Sequence, residues 1–342
     1  MADLKIQGVS PSAGKIKLGS SDVAKIYKGP TLVWPISSCT GHLFADKAAL
    51  QTGVNLWISN NAQAIIDYGQ INTWCTQNVT DMSYLFQNKS TFNDDISNWD
   101  TSNVTNMNYM FYQAPSFNQD INAWDVSNVT NMEGMFKIVS QTIGAFNKPL
   151  NSWDVSNVTN MDSMFFRSYF NQNLSSWDVS SVTDMTWMFT DCISFNQDLS
   201  AWDVSSVTTM FAMFHKQAFL AGSSAFNNGQ AAGIGNWDVS NVTDMRLMFG
   251  GAISFNQNIG GWDVSSVTEM GSMFDSATSF NQPIGAWDVS SVTNMQNMFQ
   301  SATVFNKDLS GWCVTNITSQ PSGFKTSSAL TAANTPVWGT CP

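Results

Sequence analysis

The stretch Trp124-Asp125-Val126-Ser127-Asn128-Val129-Thr130-Asn131-Met132, followed by Met135-Phe136, decides the fold. Nearly the same string returns at Trp99, Trp153, Trp177, Trp202, Trp237, Trp262 and Trp287, with degenerate copies at Trp74 and Trp312. The intervals between these ten tryptophans are 25, 25, 29, 24, 25, 35, 25, 25 and 25. A period in that range marks an array of stacked supersecondary units. An array grows along one axis, so the 342 residues need not divide into two or three ordinary domains.

The consensus W-D-V-S-x-V-T-x-M-x-x-M-F-x-x-A-x-x-F-N-Q-x-[I/L] carries two periodicities. Ile96, Trp99 and Thr101, like Ile121, Trp124 and Val126, match the L-x-x-L-x-L spacing of a repeat strand. Trp and Val then face inward and the intervening Asp outward. Met107, Met110, Phe111 and Ala114 stand at i, i+3, i+4 and i+7, which predicts one face of a short helix. Thr130 is placed to cap that helix in its unit. Apart from Met1, every methionine occupies one of the two helix positions. The second Phe of each unit, such as Phe117, Phe195, Phe255, Phe280 and Phe305, fills the core where the chain turns back.

The expected architecture is an α+β repeat solenoid of about ten units of roughly 25 residues, over residues 71–314. At a strand spacing of ~4.8 Å it forms a rod or arc roughly 45–50 Å long. Residues 36–70 form a helical N-terminal cap, because Leu50, Val54, Trp57, Ile58 and Ile65 fall at helical spacing. Asp46 is its N-cap, Gly69 its stop, and Asn60-Asn61 a possible break. Residues 315–342 form a C-terminal cap. Two units are expanded, around Ile138–Gly144 and over His215–Ala225 with Asn228–Asn236. Insertions of this kind go to loops.

Residues 1–35 differ from the rest. They hold five lysines (Lys5, Lys15, Lys17, Lys25, Lys28) against Asp3 and Asp22, which leaves them at +3 and the remainder at −14. Runs at Lys15–Leu18, Val23–Tyr27 and Thr31–Trp34 predict short strands separated by turns. A module this small should pack on something else. Either it covers the array or it docks the chain to a partner, with Lys15, Lys17, Lys25, Tyr27, Lys28 and Trp34 as its docking residues.

The repeat resembles the BspA-like leucine-rich-repeat proteins, in particular the branch common in mycoplasma lipoproteins. The ending Trp312-Cys313 … Trp338-Gly339-Thr340-Cys341-Pro342 is similar to that family's usual C-terminus. The resemblance implies a right-handed leucine-rich-repeat-like array, surface display and adhesion, and no shared enzymatic activity. The string from Lys15 to Pro35 resembles a motif near the start of tail-fibre and other virion proteins of marine tailed phages. That implies docking to other virion proteins through residues 1–35.

Cysteines replace Asp after Trp in the first and last units, at Cys75 and Cys313, while Cys39 and Cys341 lie just outside the array. The pairing Cys39–Cys75 and Cys313–Cys341 staples each cap to a terminal turn, and Cys192 is a free core thiol. Disulfides without a recognisable secretion signal suit a virion surface or, alternatively, an extracellular or cell-surface location.

The column Asp100, Asp125, Asp154, Asp178, Asp203, Asp238, Asp263 and Asp288 could bind a cation such as Ca²⁺. The competing reading is that each Asp accepts bonds from its own turn. Uniform recurrence favours the second, and no metal or cofactor is expected.

The positions between the methionines vary, and they are read as facing solvent. Trp187, Phe211 and His215, with Phe166 and Arg167 in the preceding unit, are the candidates for stacking on a host glycan or contacting a host protein. A net charge of −11 argues against a nucleic-acid partner. No apolar run is long enough to enter a membrane. With two distant histidines, His42 and His215, and no catalytic motif, the chain reads as non-enzymatic. A virion fibre, spike or decoration protein used in host recognition is the first expectation. A bacterial adhesin is the second, and a purely structural decoration protein the third.

Overall fold

The computed structural model describes residues 9–12, 15–18, 21–22, 26–28, 31–34, 39–217 and 222–342. Strands β1 (Val9–Ser12), β2 (Lys15–Leu18) and β3 (Ser21–Asp22) form an antiparallel sheet in that order, and β4 (Ile26–Lys28) pairs antiparallel with β5 (Thr31–Trp34). Two of the three expected strands coincide with β2 and β5. The third, Val23–Tyr27, falls largely outside the described residues. Of the expected docking residues, Lys15 and Lys17 stand on β2, Tyr27 and Lys28 on β4, and Trp34 on β5. Lys25 lies outside the described residues.

The helix expected between Asp46 and Gly69 is present in two pieces, α1 (Lys47–Ser59) and α2 (Asn61–Tyr68). Asp46 Oδ1 accepts from Ala49 N at 2.9 Å, and Asn60 Oδ1 accepts from Gln63 N at 3.2 Å, so each piece begins on its own side-chain cap. Gly69 ends α2 at φ 78°, a conformation that suits glycine. Leu50, Val54 and Trp57 are buried, and the Trp57 ring lies 5.8 Å from that of Trp74. The helices thereby cover the apolar end of the first unit.

The units stack through a parallel ladder of single bridges. It runs Asp81, Asn106, Asn131, Asn160, Asp184, Thr209, Asp244, Glu269, Asn294, one bridge residue per unit. Leu43 bridges Cys75 ahead of it, which joins the N-terminal segment to the first unit. The bridge lies on the residue before the first methionine, not on the expected Trp-x-Val strand. That segment instead runs between two tight turns, Ile121–Trp124 and Val126–Val129 in one unit, each closed at 2.9–3.1 Å.

The expected short helix after it is absent too. In each repeat the second residue between the methionine positions is left-handed, with φ of 52–59° from Tyr84 to Asn297. Such a residue ends a right-handed helix. The backbone then bonds alternately inside and between units. Tyr109 N donates to Glu133 O of the next unit (2.7 Å), Met110 N to Met107 O of its own (3.2 Å), and Phe111 N to Met135 O of the next (2.8 Å). An αL residue costs roughly 1–2 kcal/mol, and the inter-unit bond it makes offsets that cost. Thr130 caps no helix. Its hydroxyl donates to Thr105 O at 3.3 Å.

The inward face nevertheless matches expectation, because i, i+3 and i+4 point the same way in this chain of turns. Every methionine beyond Met1 is fully buried. Phenylalanines form paired columns, as in Phe111 against Phe117 (3.9 Å) and Phe136 (5.5 Å). Each repeat tryptophan donates its indole N–H to an Ile or Leu carbonyl of the preceding unit at 2.8–3.2 Å, from Trp99 to Trp312.

An asparagine ladder runs along the return segment. Asn93, Asn118, Asn147, Asn171, Asn196, Asn227, Asn256 and Asn281 each present Oδ1 to the backbone N–H of the next asparagine, and Asn306 passes the bond to Thr331. Stacked tryptophan rings are 6.2–6.4 Å apart. Bridged backbones lie about 4.8 Å apart.

Both expected disulfides are formed, with Cα separations of 5.6 Å for Cys39–Cys75 and 4.0 Å for Cys313–Cys341. Cys192 is free and buried, and burial raises its thiol pKa well above the usual range. The C-terminal residues add one more turn to the stack, with Phe324 fully buried and Asn297, Phe299 and Ser301 donating to Ser322, Phe324 and Thr326. Replacing Cys313 and Cys341 by serine is expected to remove about 3–4 kcal/mol from that end only. Hydrogen exchange should accelerate across 314–340 and stay unchanged at mid-stack amides.

Candidate functional site

The Asp column has a local role in every unit. Asp125 Oδ1 accepts from Ser127 N (3.0 Å) and Ser127 Oγ (2.6 Å), and Asp100, Asp154, Asp178, Asp203, Asp238, Asp263 and Asp288 accept the corresponding serine N–H. These are Asx-turns. The serine bonds hold Asp154, Asp203, Asp263 and Asp288 below the usual carboxylate range. A carboxylate with a depressed folded pKa stabilises above its unfolded value of about 3.9 and ceases to as pH falls through the folded one. Stability should therefore decline only below about pH 4 on this account. Melting in EDTA should match melting in Ca²⁺, because the column is already satisfied; a rise of the melting temperature with Ca²⁺ would contradict this. Among the described residues no group of three or more His, Cys, Asp or Glu could hold a metal ion.

The variable positions between the methionines are less open than expected. Ser163 and Ala212 are fully buried, and Trp187 and Phe211 are half-buried, while Tyr84 is 41% exposed. Units one bridge apart lay these side chains on each other. Two clusters result.

The first begins with Tyr84 stacked on Tyr109 at 5.2 Å. The Tyr109 hydroxyl donates to Glu133, and burial together with Glu133 raises its pKa above the usual range. Lys137 follows. Its ammonium sits 5.4 Å from the Phe166 ring and 5.2 Å from the Trp187 ring and donates to Ser163 Oγ at 3.1 Å. Burial lowers the Lys137 pKa, against the raising effect of Asp162 and Glu133. Trp187 and Phe211 lie 5.5 Å apart, and the Arg246 guanidinium covers Phe211 at 4.8 Å while pairing with Asp244 at 2.5 Å. Five successive units thus contribute Lys137, Phe166, Trp187, Phe211 and Arg246 to one aromatic strip with a cation at each end. Contacts of this type contribute ~0.5–2 kcal/mol each.

The second cluster takes Arg167 away from the surface. Arg167 is 4% exposed and donates to Val139 O (3.0 Å) and Ser140 O (2.5 Å) of the first insertion, to Gln217 Oε1 (3.3 Å) of the second, and to Asp191 Oδ2 (3.4 Å). Asp191, with no side-chain exposure, also accepts from Gln217 N at 2.8 Å and lies 3.9 Å from Lys216 Nζ. Arg167 is therefore a buried tie between the two insertions, not a ligand-facing group.

His215 is next to this tie. Its Nδ1 is 2.8 Å from Gly250 O; a carbonyl can only accept, so Nδ1 carries the proton and Nε2 is left as an acceptor. Burial lowers its pKa, so the ring is neutral at pH 7.

Of the five residues singled out from the sequence, the structure brings Phe166, Trp187 and Phe211 together, buries Arg167 behind them and sets His215 apart. Lys137 and Arg246 were missed. The signal was available for Lys137, which occupies the same repeat position as Phe166 and His215. Among the described residues no helix is long and apolar enough to cross a membrane.

The family model described as "Mycoplasma protein of unknown function, DUF285" matches three times, over residues 42–165, 139–230 and 220–338. Neither the curated proteins nor the solved structures contain a match.

Proposed function

Because the chain belongs to the family described as Mycoplasma protein of unknown function, DUF285, a repeat family without an assigned activity, we propose that it is a non-enzymatic surface protein. In this reading a right-handed, leucine-rich-repeat-like solenoid is presented for adhesion or host-surface recognition. The observation that carries the reading is the strip Lys137–Phe166–Trp187–Phe211–Arg246. The Asp and Asn columns repeat and serve their own turns throughout. The positions between the methionines vary instead, and here they carry large aromatic groups, half-open to solvent, as suits stacking on a sugar or a protein side chain.

Two disulfides, one at each end, suit an oxidising setting outside a cytosol. That supports either a virion surface or a cell surface. The virion reading, with residues 1–35 docking to other virion proteins, rests on the Lys15–Pro35 motif alone. The bacterial adhesin is the second reading, and the disulfides favour it equally. A purely structural decoration protein is the third.

The double variant Trp187→Ala with Phe211→Ala is expected to lower binding to host cells or to a glycan array by at least tenfold while leaving the melting temperature within a few degrees. Unchanged binding in that variant would sink the strip as the recognition surface, and blank binding by the parent protein would favour decoration. Deleting residues 1–35 is expected to abolish particle incorporation if those residues dock.

A further inference from the structure

The repeat makes it possible to see where the surface has been cut away. Three successive units place His215-Lys216, Gly250-Gly251 and Asp275-Ser276 at the same pair of positions. The middle unit carries no side chain there. A slot of about 240 Å³ opens at Gly251, lined by His215 from the unit before, Asp275 and Ser276 from the unit after, and Ile253. Gly222 and Ser223 of the second insertion line its rim. Walls two units apart stand about 10 Å from each other. The glycines are held to their size: a Cβ on Gly250 would meet His215 Nδ1 at 2.9 Å, and one on Gly251 would meet Lys216 O at 2.3 Å.

The groups lining this slot are polar and of both kinds: Gln217 and Ser223 bring donors, while His215 and Asp275 bring acceptors. His215 Nε2 is a lone pair, since Nδ1 donates to Gly250 O. The Asp275 carboxyl receives one bond, from Ser276 Oγ at 2.9 Å, which leaves further acceptor capacity. The Gly250 and Gly251 amides are committed to Leu247 O and Asp275 O. Lys216 turns its ammonium toward Gln217 O and Asp191, away from a role in holding an anion. Donors and acceptors beside the Ile253 side chain suit a ligand with several hydroxyls, which both give and take hydrogen bonds, and one C–H face. The slot is smaller than drug-sized pockets of 300–1,000 Å³, and one six-membered sugar ring fits it. Its His215 wall belongs to the unit that also carries Phe211.

We propose that the slot between His215 and Asp275 binds one neutral monosaccharide unit of a surface glycan. This rests on the recognition reading above and names its ligand class. Burial raises the Asp275 pKa and lowers that of His215, which marks both walls as partly withdrawn from water.

The test is a titration of the ¹⁵N-labelled full chain with glucose, galactose, mannose and N-acetylglucosamine, followed through amide shifts. At least one sugar is expected to give saturable shifts at Gly250, Gly251 and Ser276, with Kd of about 1–10 mM. Asp275→Ala and His215→Phe should each weaken that binding at least tenfold, since each removes the wall's acceptor outright. Ile253→Trp, which fills the slot without removing a hydrogen bond, should abolish it.

No saturable shift with any of the four sugars overturns the proposal, as do variants that bind like the parent. Saturable binding of methylamine in place of sugars would overturn it in favour of an amine site. The two readings fail separately. Sugar shifts that persist while host-cell binding is blank remove adhesion and keep the slot, and cell binding without sugar shifts does the reverse.

Discussion

Replacing Asp191 by asparagine is expected to destabilise the protein by about 3–5 kcal/mol, the usual result of removing one partner from a buried ion pair. Asparagine keeps the shape and tolerates the left-handed φ of 57° found there, so the loss isolates the charge. The carboxylate lies between two cations that are themselves buried, Arg167 at 3.4 Å and Lys216 at 3.9 Å. Without it they face each other at low dielectric. Burial already lowers the Lys216 pKa, and Asp191 is what opposes that shift. Urea unfolding should register the loss. Hydrogen exchange should localise it, because Gln217 N donates to Asp191 and Arg167 holds the carbonyls of Val139 and Ser140. Both insertions should loosen together while units on either side stay protected. A triple change to Arg167→Met, Asp191→Asn and Lys216→Met removes all three charges, keeps a residue that tolerates the left-handed φ, and is expected to recover part of the loss, the rest being the Val139 and Ser140 carbonyls left without Arg167. If it were as damaging as Asp191→Asn, packing and not charge would hold the insertions.

Much of this architecture was legible because a repeat states its core many times. Methionine and phenylalanine at i, i+3 and i+4 had to face inward, and they do, although the backbone that carries them is a chain of turns and not a helix. The helix reading failed at one position per unit. Residues as different as Tyr109, Trp187 and Leu247 adopt a left-handed conformation there, which local preference disfavours and which inter-unit bonds sustain. Propensity carries no trace of a bond made to a unit 25 residues away. The asparagine ladder was hidden for a related reason: F-N-Q recurred visibly, but only the stacked geometry gives each Asn an N–H to accept. The disulfides were legible, since Cys75 and Cys313 stand where every other unit has Asp or its equivalent. The aromatic strip was half legible. Trp187 and Phe211 broke the pattern, whereas the partners Lys137 and Arg246 needed the register of neighbouring units.

Trp177→Ala is expected to cost about 3–5 kcal/mol, the range for truncating a buried aromatic side chain. Three terms act together. The ring is 3% exposed, so its burial is lost and a cavity opens. It stacks on Trp153 at 6.4 Å and on Phe165 at 6.4 Å, so two columns lose a neighbour. Its indole N–H reaches Leu150 O at 2.9 Å across the unit boundary, so a buried carbonyl is left without that donor. Asp178→Ala, one residue further on, should cost about 1 kcal/mol or less, because it removes an exposed Asx-turn and leaves every inter-unit contact in place. The position of the change matters as well as its size. In a stack, each unit touches only its neighbours, so a weakened interface in the middle divides the chain where one at the end only frays it. Trp177→Ala should therefore split a single unfolding transition into two, with units before Trp153 and after Trp202 melting apart. The double variant Trp153→Ala with Trp177→Ala should cost less than the sum of its parts by about 0.5–1.5 kcal/mol, the coupling of a stacked aromatic pair. Strict additivity would mean that the tryptophans fill space independently. A coupled loss would mean that the column of rings itself joins the units, and with them the surface strip that five of those units build.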